Sequence, residues 1–132
     1  MLAIDAANND KMNSGYEVTT HGGRNKTGID ALFWAQQGVN LGAGEILLTS
    51  MSADGTKKGY NLKLTKVISE NVFVPVIASG GAGCPIDMVE VVIKSGASAV
   101  LAASIFHFGI YSIKSVKDEM EKNGILVRKC EN

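Results

Sequence analysis

Residues 74–83 read VPVIASGGAG, an almost unbroken apolar run that ends in residues nearly without side chains. Glycine loses more chain freedom on folding than any other residue, so a cluster of it needs something that must come close. Two further runs share the plan. EILLTS (45–50) leads into MSADGT, and AVLAAS (99–104) ends in Ala103 and Ser104. All three are continuous rather than alternating, which marks buried strands of a parallel sheet covered by helices.

Working outward, LAID (2–5) and YEVTT (16–20) are two further apolar runs that read as strands. Helical segments lie between them. ALFWAQQGVNL (31–41) follows Thr27, Gly28 and Asp30, and NLKLTKVISEN (61–71) gathers Leu62, Leu64, Val67 and Ile68 on one side. PIDMVEVVIKSG (85–96) opens on proline and closes on glycine, and SIKSVKDEMEKNG (112–124) also ends in glycine, the stop signal of helices. The order is strand, helix, four times over. YEVTT stands outside it, and residues 6–23 read as a hairpin inserted in the first loop.

The segments GAGEILLTS (42–50) and GASAVLAAS (96–104) echo each other, as expected of a repeated βα module. Alternating βα units build either an open doubly wound sheet or a barrel. An open sheet carries its phosphate loop after the first strand, but here AANND follows that strand and the glycines come later. A barrel binds phosphate after its last two strands. Eight units and about 250 residues close such a barrel. This chain has four units in 132 residues. The expected fold is a (βα)4 half-barrel over 1–132, the second half of a TIM-type (βα)8 barrel.

Composition fits that fold. The chain is 45% hydrophobic and 20% charged, a globular balance. Thirteen basic residues match thirteen acidic ones, so no nucleic-acid footprint is expected. No apolar run approaches the roughly 18 residues of a membrane span. Cys84 and Cys130 form neither a disulfide framework nor a metal motif, which points to a reduced, cytoplasmic setting without metal or cofactor.

The strand ends carry the chemistry. Active sites of barrels lie at the C-terminal ends of their strands. Gly80, Gly81 and Gly83 would let backbone N–H groups approach an anion, helped by the helix start at Pro85. Gly55 and the Thr56 hydroxyl add donors from the second unit, and Ser104 adds one from the last. Asp5 ends the first strand and reads equally as a loop cap or as a general acid/base. Asp54 has the same choice, with an ordinary Asp-Gly turn as the stronger alternative. Glu45 starts its strand, at the edge where charge serves stability. His21 and His107 lack partner spacing, and Trp34 reads as core.

Taken together, GAGEILLTSMSADGTKKGY (42–60), VPVIASGGAG and GASAVLAASIFHF (96–108) resemble the cyclase subunit of imidazole glycerol phosphate synthase, from histidine biosynthesis. The resemblance runs from LAIDA to LVRK and covers the C-terminal half of that family's barrel. It implies cyclisation of a phosphoribulosyl-formimino aminoimidazole carboxamide ribotide with ammonia from a glutaminase partner. The products are imidazole glycerol phosphate and aminoimidazole carboxamide ribotide. One substrate phosphate, or a phosphate or sulfate ion, would sit on Asp54, Gly55, Gly80, Gly81, Ala103 and Ser104. Asp5 matches one of the family's two catalytic aspartates, and Glu45 matches a charged residue where ammonia enters, on the glutaminase face. RNKTGID (24–30) and AANND depart from the family's loops.

Two expectations of different kind follow. The chain is a nearly inactive half of the enzyme, or a non-catalytic half-barrel that serves folding and assembly. Met1 directly before the strand favours the second. Four units leave the LAID and AVLAAS edges unpaired and expose inward faces at Ala3, Ile46, Leu48, Val76 and Leu101. A homodimer or higher oligomer, or a separate N-terminal half, would cover them.

Overall fold

A computed structural model of the chain describes residues 1–129; Cys130 lies outside the described residues. Six strands form one sheet in the order β3-β2-β1-β4-β5-β6. Strands β1 (Leu2–Asn8), β4 (Ile46–Ser50), β5 (Val76–Ser79) and β6 (Ala99–Leu101) run parallel, whereas β2 (Tyr16–Thr20) and β3 (Asn25–Asp30) fold back antiparallel. Helices α1 (Ala31–Asn40), α2 (Leu62–Ser69), α3 (Pro85–Ser95), the short α4 (Ser104–His107) and α5 (Ile113–Lys122) complete the chain. The βα order is that of a half-barrel. No helix among the described residues is long and apolar enough to cross a membrane.

Three of the four long helices start where a side chain satisfies first-turn N–H groups. The Asp30 carboxylate accepts from Leu32 N and Phe33 N and also from Ser14 N, tying the first loop to α1. Those bonds outweigh the opposing effect of burial and hold Asp30 below the usual carboxylate range. Asn61 caps α2 through Leu64 N, and Ser112 caps α5 through Ser115 N. Pro85 opens α3, and Gly96 closes it in the left-handed conformation.

Residues 6–23 are not a bare hairpin insertion. β1 continues to Asn8, and Asp5–Asn8 pair with Tyr16–Thr19, so of the LAID edge only Asp5 is covered. The second arm runs on to Asp30 and passes straight into α1. At the other edge β6 stops at Leu101, and the expected strand residue Ser104 begins α4 instead.

The inward face also needs correction. Ile46, Leu48 and Val76 are 0–1% exposed and pack with Ile4, Ala6, Leu64 and Ile68, on the helix side. Burying each such side chain contributes about 1.5–3 kcal/mol, which the helices collect on this face. Strand parity then leaves Ala3, Leu47, Ile77, Ala99 and Leu101 on the open face. A one-residue change of parity exchanges the faces completely. Trp34 is 39% exposed, because α1 turns Ala31 and Ala35 to the core. A second cluster joins α3 and α5 through Met88, Val91, Val116 and Met120.

The fold-back is held by a buried acid. Glu17 is 3% exposed and accepts from Asn9 Nδ2 at 2.7 Å and from Gly28 N at 2.6 Å. These bonds, with the Lys26 charge, keep its carboxyl below the usual glutamate range against its desolvation. Its stabilisation is therefore complete above about pH 4.3 and is lost as pH falls through the lower folded value. Glu17→Gln should be less stable than the unmodified chain at pH 7, with the gap narrowing towards pH 3. Urea unfolding at the two pH values measures both.

Candidate functional site

Three loops at the C-terminal edge of the parallel strands enclose a cleft of about 130 Å³. Asp54, Gly55 and Lys57 come from the loop after β4, Ser79–Ala82 from the end of β5, and Leu101–Ser104 from the junction of β6 and α4. All six residues expected to hold phosphate line it: Asp54, Gly55, Gly80, Gly81, Ala103 and Ser104.

The small residues have a nearer cause than a ligand. Gly59 N donates to Gly81 O at 2.8 Å, which draws the β4–α2 loop against the β5–α3 loop. A Cβ on Gly81 would fall 2.2 Å from Gly59 O, and one on Gly83 2.1 Å from Lys57 O. Gly80 would meet Ser50 O at 2.8 Å. Gly80 and Gly81 also have φ of +90° and +104°, which L side chains rarely adopt. Glycine is therefore required for one backbone to lie on another.

That packing leaves donors over. The N–H groups of Gly55, Gly81 and Ser104 have no acceptor among the described residues. An unpaired backbone donor is costly unless water or a ligand satisfies it, so these groups are suited to an oxyanion. Two expected donors are committed elsewhere. Thr56 Oγ1 donates to Ala53 O at 2.7 Å. At the start of α3, Gly83 N and Cys84 N both donate to the Asp87 carboxylate, which occupies the helix's positive end.

Two residues of the site carry no signal in the sequence. Tyr60 is buried and donates its hydroxyl to Leu101 O at 2.9 Å, fixing β6 to the β4–α2 loop. Burial, with the Asp87 charge added, pushes its phenol above the usual range. Lys57 lines the cleft with a left-handed backbone. Both fall in the run KKGY (57–60), ordinary for an exposed turn.

Asp5 does not line the cleft, but it shares its face. Parallel register aligns Asp5 with Thr49, Thr49 with Ser79, and Ser79 with Leu101, in one row across four strands. Ser79 and Leu101 belong to the cleft wall, so Asp5 lies two strand spacings, roughly 10 Å, from it. Thr19 Oγ1 donates to Asp5 O and steadies that strand. Glu45 lies at the opposite edge, where its carbonyl accepts from Leu2 N. Among the described residues His21 bonds Thr20 and Asn25 at the hairpin tip, and His107 is exposed against Phe108. No cluster of three metal-ligating side chains occurs among the described residues.

Residues 1–112 match a family described as "Histidine biosynthesis protein". Over 119 residues the chain is 55% identical to imidazole glycerol phosphate synthase subunit HisF of Desulfatibacillum aliphaticivorans. The match covers 90% of this chain and 46% of that protein, so the chain spans about half the length of the curated relative. These matches bear out the resemblance read from the three sequence blocks.

The two glycines of the cleft that differ most in surroundings separate packing from strain. Gly81→Ala should cost about 2–4 kcal/mol, because positive φ and a backbone collision add. Gly55 has positive φ but open space around its Cβ position, so Gly55→Ala should cost only about 1–2 kcal/mol. Equilibrium denaturation of the two variants tests the difference; equal costs would refute the loop-on-loop account.

Proposed function

The chain belongs to the histidine biosynthesis protein family, and from that premise we propose that it forms the C-terminal half of a cyclase of the HisF type. The reaction joins ammonia to a phosphoribulosyl-formimino aminoimidazole carboxamide ribotide and releases imidazole glycerol phosphate and aminoimidazole carboxamide ribotide. The observation that carries this reading is the cleft, with its unpaired N–H groups on Gly55, Gly81 and Ser104. One phosphate of the substrate binds there. Asp5, in the same row of side chains, acts as a general acid/base on the ring-forming centre some 10 Å away. Such a separation suits a substrate whose phosphate lies several bonds from its reacting atoms. Glu45, at the far edge, faces the glutaminase that delivers ammonia, and the setting is cytoplasmic.

Alone, the chain is a very poor cyclase, because one of two proton carriers and one of two phosphate sites lie in the other half. Each proton carrier typically contributes about 10²–10⁴-fold. Ammonium-dependent turnover by the purified chain at the rate of the whole enzyme would overturn this. When the chain is assembled with an N-terminal HisF-type half, Asp5→Asn should lower turnover by about 10²–10⁴-fold and leave phosphate binding intact.

A second reading, an assembly module, rests on the open sheet face. Leu47, Ile77, Ala99 and Leu101 lie there without a helix over them, and Leu2–Ile4 have no strand on their outer side. A second copy, related by the same face, covers both. Sedimentation at micromolar concentration should give a dimer or a multiple of it; a folded monomer would exclude this reading.

A further inference from the structure

Lys57 is the one cationic side chain lining the cleft among the described residues, and three features set it apart. Its φ is +56°, a strained backbone for a residue with a side chain. Its ammonium has no carboxylate partner among the described residues. Instead it rests over the ring of Phe108, 5.5 Å from the centroid, and that ring is itself 67% exposed. Phe108 follows directly on α4, the helix whose first residue, Ser104, lines the cleft. Asp54 meanwhile puts a carboxylate on the same wall, and that charge repels any anion the free N–H groups attract.

We infer that Lys57 is the cationic anchor of this cleft, held on Phe108 when the cleft is empty and released to the phosphate when it fills. The inference rests on the phosphate reading of the site. Backbone N–H groups provide directional bonds, and the lysine supplies the charge that offsets Asp54. The ring gives the ammonium a resting place whose attraction is weak at an exposed site, so an oxyanion competes for it successfully. The Lys57 backbone lies against Gly83 in the loop contact, and glycine would meet its positive φ without strain, so a lysine there is the pattern of a residue kept for its side chain.

The test is calorimetric titration of the chain with inorganic phosphate, at low and moderate salt, together with the midpoint of thermal unfolding. Lys57→Gly relieves the left-handed strain and removes the charge. It should unfold at or above the temperature of the unmodified chain while binding phosphate at least tenfold more weakly and with a shallower salt dependence. Phe108→Leu removes the competing ring and should tighten phosphate binding two- to fivefold. Lys58→Met, which alters an exposed neighbouring charge outside the cleft, should change affinity less than twofold. Phosphate binding by Lys57→Gly within twofold of the unmodified chain would overturn the inference and leave the phosphate reading standing. So would weaker binding by Phe108→Leu. Absence of saturable phosphate binding by the unmodified chain would remove both.

Discussion

One backbone contact organises this molecule, the passage of the β4–α2 loop across the β5–α3 loop. The bond from Gly59 N to Gly81 O is ordinary in length, but it forms only because Gly80, Gly81 and Gly83 have no Cβ. Once the loops are in contact, Tyr60 can enter the core and reach Leu101 O, which draws β6 and α4 against the same wall. A net hydrogen bond contributes only about 1 kcal/mol. The consequence is geometric. Three strand ends converge, and backbone donors without an acceptor among the described residues line a shared space.

The two faces of the sheet divide labour unequally. On the helix side, β-branched and long aliphatic residues fill a dry core, and the helices are fixed by capping side chains from the loops before them. On the open side, the row of Asp5, Thr49 and Ser79 is polar and small near the cleft, while Leu47 and Ile77 lie one pleat below. Chemistry and adhesion therefore occupy different levels of one face. The buried Glu17 clamp, one pleat above Asp5, shows the cost of closing the upper level with protein alone, since its carboxylate needs two dedicated donors.

Much of this was legible in the chain. Continuous apolar runs separated by capped amphipathic segments fixed a parallel βα order, and small residues after three runs located the cleft. The purpose assigned to those residues was incomplete: sequence reveals that backbone must be approached, not whether by ligand or by another loop. Parity misled for Ile46, Leu48 and Val76, because a continuous apolar run gives no sign of which face is which. Trp34 misled through its size, since α1 prefers alanines where it crosses the sheet. Lys57 and Tyr60 were invisible, as their roles depend on a turn conformation and on a partner 41 residues further along.

The fold-back of β2 on β1 has a bearing on growth of the sheet. It covers Asp5–Asn8 and leaves Leu2–Ile4 free, so a strand that adds to β1 itself can do so only at the edge remote from the cleft. A neighbouring strand that adds there meets the hairpin after three residues and stops. Extension along β1 is thereby limited in length and kept at the base of the molecule. The chain can gain a neighbour along this flank while its mouth stays open to small molecules.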